Sequence, residues 1–348
     1  MTVPAPRRPR RPAPHPRFPL ADWIDAHPTA PHHLGHSGMV GELRATARWT
    51  AEPPPATEEE LRGRLAAALG VAADRVFPTH GATEGYALVL LALRRSLRAT
   101  GGPIRLRRLL PEYPPLLRAA ELVGFRPVGP GVPAAVAVFS EPNNPTGRRR
   151  GAAALLAAAG KVRAVVVDET FREFSPAPSI AAPAREGIWT LGSMTKSYGA
   201  DFLRVGYVVA PPEAVAGFAE IKGVLADNLP AASAAGAVAL LRHRAEVLRE
   251  ARAIFAANRR ALARALPPEE LPGGPPSAAP TWFDRGPRGR GLDGDRLARA
   301  ALRTGVLVSP GSLFGDPAGV RVCLTRRSFP DDLRAYLEVR RRFLRSQS

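Results

Sequence analysis

The chain has 348 residues, 45% of them apolar, with 49 Lys and Arg against 31 Asp and Glu, a formal net charge of +18. That length allows one large and one smaller unit with sizeable cores, and no apolar run approaches the ~20 residues of a membrane span. The charge is carried by Arg in a chain rich in Ala, Gly and Pro, without interleaved basic and aromatic residues, which argues against nucleic-acid binding.

Cys323 is the single cysteine, which excludes an intrachain disulfide and suits a reducing, cytoplasmic setting. The basic start Arg7-Arg8-Pro9-Arg10-Arg11 is not followed by an apolar segment, so it does not read as an export signal. Residues 1–17 are expected to be a disordered Pro/Arg-rich tail. Phe18 to Ile24 fits a short amphipathic helix. The stretch His32-His33-Leu34-Gly35-His36-Ser37-Gly38-Met39 reads as a loop. Its histidines suggest a metal, but no carboxylate or Cys completes a ligand set, and the chain has no H-E-x-x-H or C-x-x-C. A loop whose glycines let the backbone approach a substrate is the better reading.

Thr57-Glu58-Glu59-Glu60 forms a capping box before a helix with Leu61, Leu65 and Leu69 on one face, closed by Gly70. Arg75 to Pro78 is a short apolar run. His80-Gly81-Ala82-Thr83-Glu84-Gly85 leads into a helix from Tyr86 to Leu97, and a small-residue turn at a helix start is a ready anion site. Pro111-Glu112-Tyr113-Pro114 precedes a helix (Leu116 to Val123) and places a Tyr in a Pro-fixed turn. Ala134 to Phe139 reads as a buried parallel strand. The loop Glu141-Pro142-Asn143-Asn144-Pro145-Thr146-Gly147 follows, where open α/β sheets bind ligands. A helix (Ala152 to Ala159) and a second strand (Val162 to Val167) then end in Asp168-Glu169. A buried strand-end Asp is costly unless paired, and a protonated heterocyclic nitrogen would be a good partner.

This βαβ rhythm delivers Ser193-Met194-Thr195-Lys196-Ser197-Tyr198. Lys196 is one of only three lysines, with Lys161 and Lys222. It sits between two hydroxyl residues, eight positions before Arg204. A desolvated amine is what Schiff-base chemistry needs, and a hydroxyl with a guanidinium is what a phosphate needs. The segment reads as a lysine holding a phosphate-bearing aldehyde cofactor. Val205 to Val209 is a further strand, Pro211 to Leu225 a helix, and Ala231 to Ala265 a long helical region able to connect two domains. After a Pro/Gly-rich break at 267–280, strands and helices alternate: Thr281 to Asp284, Leu292 to Thr304, Val306 to Val308, Val320 to Thr325 and Phe329 to Leu344. Arg321, in the strand after Pro310-Gly311-Ser312-Leu313-Phe314-Gly315, is placed to clamp a carboxylate.

Taken together, Gly81-Ala82-Thr83-Glu84, Tyr113, Asn143 to Gly147, Asp168-Glu169, Ser193 to Lys196, Arg204 to Tyr207 and Arg321 resemble fold-type-I enzymes that use pyridoxal 5′-phosphate. The likeness is to class I/II aminotransferases, in the branch of histidinol-phosphate aminotransferase and threonine-phosphate decarboxylase. It covers roughly residue 35 to the C-terminus. It implies an α/β large domain (49–230) with a mostly parallel sheet flanked by helices, an N-terminal arm (18–48) over the active site, a connecting helix (231–266) and a smaller α+β C-terminal domain (267–348). It further implies that Lys196 carries the cofactor as a Schiff base and shuttles the proton, and that Asp168 pairs with the pyridine nitrogen. Asn144 would bond the ring oxygen, Tyr113 would stack on the ring, and Ala82, Thr83, Ser193 and Arg204 would hold the phosphate. Arg321 would receive the substrate carboxylate, with Gly35 and its loop over the substrate.

Two departures from the family pattern matter. Phe171 stands where many relatives have a Tyr that bonds the ring oxygen, so Asn144 must carry that oxygen alone. Arg48-Trp49-Thr50 replaces a Tyr-Pro pair that reaches the partner subunit's phosphate, leaving only the indole N–H as donor. Ser193-x-x-Lys196 also fits the S-x-x-K of penicillin-binding enzymes, but no Lys is followed by Thr-Gly. No G-x-x-x-x-G-K-[ST] is present, and no G-x-G-x-x-G follows a strand. The expected activity is amino transfer between an amino acid or amino phosphate and a 2-oxo acid, in a homodimer. Decarboxylation, amino acid oxidation and a non-enzymatic regulator remain as alternatives on the same scaffold.

Overall fold

The computed structural model describes residues 19–97, 102–175, 177–287 and 292–346, so the expected tail over residues 1–17 lies outside it. The helices are α1 (Pro19–Asp25), α2 (Arg44–Thr50), α3 (Glu58–Leu69), α4 (Gly81–Ser96), α5 (Pro114–Leu122), α6 (Ala152–Ala159), α7 (Val215–Leu225), α8 (Ala231–Arg242), α9 (Arg244–Ala265), α10 (Gly294–Arg303) and α11 (Phe329–Ser346). The strands are β1 (His32–His33), β2 (Val76–Thr79), β3 (Ile104–Arg107), β4 (Phe125–Val128), β5 (Val136–Ser140), β6 (Ala164–Asp168), β7 (Ile188–Ser193), β8 (Gly206–Val209), β9 (Thr281–Asp284), β10 (Val306–Leu307), β11 (Ser309–Pro310) and β12 (Val320–Cys323). Among the described residues no helix is long and apolar enough to cross a membrane.

The main sheet has seven strands in the order β2-β8-β7-β6-β5-β3-β4. Its β5 and β6 are short apolar runs buried along their whole length, as a parallel sheet covered on both faces requires. One face packs against α4, α5 and α7 through residues such as Val89, Leu116 and Phe218; the other packs against α6 through Leu155. Only β8 runs against its neighbours. The carboxyl ends of the other six strands and the amino end of β8 therefore share one edge. The register lines up Ser140, Asp168 and Leu191 on β5, β6 and β7, and Ser193, Gly206 and Thr79 on β7, β8 and β2.

Capping decides α3. Thr57 Oγ1 accepts the Glu60 N–H at 3.1 Å, and Gly70 closes the helix in the left-handed region. At its other end the box is not reciprocal, because the Glu60 carboxylate turns to Arg64 and Arg242. The region expected as one long helix is two, divided at His243 (φ −103°, ψ 22°). The His243 ring stacks on Trp49 with centroids 3.3 Å apart. The strands β3, β4, β7 and β11 have no counterpart in the sequence reading, and His32-His33, expected in a loop, forms β1. Pro127 is accommodated in β4 because that strand lies at the sheet edge.

The C-terminal part forms a second sheet, β11-β12-β9, packed under α10 and α11. The N-terminal arm, α1 included, is stitched to it. The Trp23 indole donates to the Val308 carbonyl at 2.8 Å, β1 pairs with β10, and the Cys323 N–H donates to the Leu34 carbonyl at 2.9 Å. It then crosses to the main sheet, where the Met39 N–H donates to the Lys196 carbonyl at 3.0 Å. The arm is thus held between the two sheets, beside Lys196.

Candidate active site

Lys196 follows the end of β7. Ser193 Oγ accepts the Thr195 N–H at 3.1 Å and meets Thr195 Oγ1 at 2.9 Å, which fixes the turn that carries the lysine. The half-buried Lys196 side chain lines a cavity of about 210 Å³. Burial, and then the nearby Arg321 charge, push its amine down to about 8. Asp168 ends β6 in the same cavity and is 8% exposed. One of its oxygens accepts the Thr170 N–H at 2.9 Å, and among the described residues it has no ion pair. Burial raises its carboxyl, against the Thr170 bonds and the Lys196 charge.

The anion end of the cavity is made by α4, β8 and the turn before β8. Ala82 and Thr83 lie in the first turn of α4, whose N-cap His80 offers no side-chain bond, so its leading N–H groups face the cavity unspent. Gly81 (φ 81°) and Gly206 make this close approach sterically feasible. A Cβ on Gly206 would lie 2.4 Å from the Gly81 carbonyl carbon and 2.5 Å from the Ala82 nitrogen. Arg204 lines the same end and is exposed. It is the one non-glycine with positive φ among the described residues (φ 54°), a conformation that holds its guanidinium next to Gly81. No carboxylate pairs with it among the described residues.

Tyr113 is the N-cap of α5, with Pro114 fixing the turn, and lines the cavity. Burial pushes its phenol up to about 12, so it stays neutral. Asn144 is held by two bonds: its N–H donates to Ser140 Oγ at 3.0 Å, and its Oδ1 accepts from Arg321 Nη1 at 3.2 Å. The second bond orients the amide so that its NH₂ faces away from Arg321. Arg321 itself is 1% exposed and crosses the Phe314 ring at 4.9 Å. Its Nη2 donates to the Gly35 carbonyl at 2.7 Å and to Ser309 Oγ at 3.3 Å, while its Nε has no partner. It too has no carboxylate partner among the described residues.

The family model for Aminotransferase class I and II matches residues 129–330. The chain belongs to the class I and II aminotransferases. It is an enzyme whose cofactor is pyridoxal 5′-phosphate. Histidinol-phosphate aminotransferase 1 of Bordetella parapertussis is 30% identical over 277 residues, 74% of each chain. A threonine-phosphate decarboxylase of Sinorhizobium sp is 37% identical over 100 residues, 27% of this chain and 30% of that one. A pyridoxal phosphate-dependent aminotransferase structure from Streptococcus suis shares the fold, with a TM-score of 0.77 over 95% of this chain and 98% of the other at 20% identity.

The cavity of this aminotransferase fits such a cofactor. It offers an amine held partly neutral, a buried carboxylate without an ion pair in the same cavity, and a glycine-lined helix start beside a guanidinium that no carboxylate pairs among the described residues. Phe171 lines the cavity and brings no hydroxyl. Trp49, the residue in place of the usual tyrosine, is already engaged. Its indole N–H donates to Glu246 Oε2 at 3.0 Å within its own chain. That bond removes the only donor it had for a partner's phosphate.

The loop histidines part company. His32 Nδ1 lies 3.0 Å from Asp332, and Arg326 reaches the same carboxylate at 3.5 Å. Arg327 pairs with Glu250. His36 faces Lys196; burial, then the Lys196 charge, push it down to about 4, so the ring is neutral. Glu112 and Ser140 were not anticipated as site residues. The signal for Glu112 is an acid set within the apolar run Leu109 to Leu116.

Proposed function

We propose that this aminotransferase moves an amino group between an amino acid or amino phosphate and a 2-oxo acid, with Lys196 and Asp168 as its catalytic residues. The observation that carries this is the placement of the Lys196 amine, lowered to about 8, in one cavity with an unpaired Asp168 and next to the unpaired charge of Arg321. When bound, pyridoxal 5′-phosphate supplies an aldehyde that attaches to an amine and a ring that draws electrons from the carbon beside it.

The chain's own groups do the rest. At pH 7 an amine with a pKa about 8 is roughly a tenth neutral, against about one part in three thousand for an ordinary lysine. Lys196 Nζ is therefore available both as a nucleophile and as the base that takes the substrate's Cα proton. Asp168 would pair with the cofactor's ring nitrogen and keep it protonated. Asn144 donates its NH₂ to the ring oxygen, and Tyr113 covers the ring face. Ala82 and Thr83 N–H groups, Thr83 and Ser193 hydroxyls and Arg204 hold the phosphate. Arg321 takes the substrate carboxylate, with Gly35 and its arm closing over it. The same reading assigns residues 18–48 to the arm, 49–230 to the large domain, 231–266 to the connection and 267–348 to the small domain. A cytoplasmic homodimer completes it, supported by the presence of a single cysteine, buried and without a disulfide, and by the family resemblance.

His36 stands near Lys196 and Arg321, which favours a polar or anionic substrate side chain; His33 lies instead beside Arg326 and Asp332. The test is a substrate screen that follows oxo-acid amination, CO₂ release and oxygen uptake together. Amino transfer from polar or phosphorylated amino compounds is expected. Turnover of aliphatic or aromatic amines alone would refute the substrate class, and CO₂ release without amination would refute the reaction.

A further inference from the structure

Glu112 is wholly buried, and among the described residues no cation pairs with it. Three donors converge on its two oxygens. Oε1 accepts the Tyr113 N–H at 2.7 Å and the Ser140 hydroxyl; Oε2 accepts the Ser140 N–H at 2.9 Å. In its ionised form the carboxylate only accepts, so the Ser140 proton then points at Glu112. The Ser140 lone pairs then face the other way, toward the Asn144 N–H at 3.0 Å and Asn143 Nδ2 at 3.3 Å. One side chain thus ties the turn of Tyr113 to the loop of Asn144 across the ends of two neighbouring strands, β3 and β5. Burial first, with the nearby Asp168 charge adding to it, pushes the Glu112 carboxyl up to about 7 against these three bonds. The group is held in place although its surroundings oppose its charge.

We infer that Glu112 is a positioning residue for the cofactor, setting through Tyr113 and the Ser140–Asn144 relay the tilt of the ring and the hydrogen bond to its oxygen. This rests on the proposed roles of Tyr113 and Asn144. Phe171 raises the dependence: with no hydroxyl there, the ring oxygen relies on Asn144, and Asn144 relies on Ser140 for its backbone position. Glutamine is the same shape but has one accepting oxygen and one donating nitrogen, so at least one of the three donors loses its acceptor.

The test uses full-length wild type, Glu112→Gln and Ser140→Ala, titrated with pyridoxal 5′-phosphate. Affinity is read by fluorescence, the ring's setting by visible circular dichroism, and folding by far-ultraviolet dichroism. Both variants are expected to fold and to bind the cofactor about tenfold more weakly, with an altered visible dichroism. The double variant should be no worse than either single one, because both act in one relay. Glu112→Gln with wild-type affinity and visible dichroism, and only a lower melting temperature, would overturn the inference. If Glu112→Gln fails to fold, the same readouts on Ser140→Ala decide in the same way. A wild type that takes up no cofactor overturns the site reading itself, which the variants' behaviour relative to a binding wild type does not.

Discussion

Gly206 offers a sharp test of how the anion end is built. Its register neighbours are Thr79 and Ser193, so the strand cannot slide. A Cβ there would lie 2.4 Å from the Gly81 carbonyl carbon, 2.5 Å from the Ala82 nitrogen and 2.8 Å from the Gly81 Cα. Non-bonded carbons need about 3.5 Å, so Gly206→Ala must push the first turn of α4 outward by about 1 Å. All three obstructing atoms are backbone, and no flexible side chain can yield instead. Overpacking of this kind costs about 1–3 kcal/mol, which in a chain of this size lowers the melting temperature by roughly 1–4 °C. A shift of about 1 Å also takes the Ala82 and Thr83 N–H groups out of hydrogen-bond range of a phosphate, for an expected loss of about tenfold in cofactor affinity. Gly217→Ala is the control, since that helical position in α7 meets nothing within 4 Å and should be neutral or slightly stabilising. Thermal unfolding with and without pyridoxal 5′-phosphate, and a fluorescence titration, read both effects. Wild-type melting and affinity in Gly206→Ala would refute the argument that the α4 start is seated on β8 to hold an anion.

Cofactor uptake should follow the Lys196 ionisation. Only the neutral amine reacts, so the uptake rate should rise about tenfold per pH unit below pH 8 and level off above it; a rise continuing toward pH 10 would contradict the lowered amine. Trp49→Phe removes the indole bond to Glu246 and should lower stability by about 1 kcal/mol while leaving cofactor affinity unchanged. A tenfold weaker affinity in that variant would restore Trp49 to the phosphate site.

The parts of the site legible in sequence are those written locally. The Asn143-Asn144 loop between prolines, an Asp closing an apolar run, and a rare Lys between hydroxyls each announce chemistry within a few residues. The fold was legible where burial makes a run uniformly apolar, as in β5 and β6. It was hidden in β3, where Ile104-Arg105-Leu106-Arg107 alternates apolar and basic residues, and in β4, where Pro127 masks an edge strand. The break at His243 carries no Gly or Pro, and it coincides with the Trp49 ring packing on His243, a contact from a distant part of the chain. Glu112 and Ser140 are 28 positions apart and meet only because β3 and β5 are neighbours, so no local pattern could pair them.

The most direct test of the central claim is the visible absorption spectrum of the purified protein mixed with pyridoxal 5′-phosphate, compared with Lys196→Ala. The account predicts a yellow wild type whose band shifts when an amino donor is added, and a variant in which the lysine-dependent band is missing. A wild type that stays colourless, or a variant with the same band, would contradict the assignment of Lys196 as the residue on which the chemistry turns.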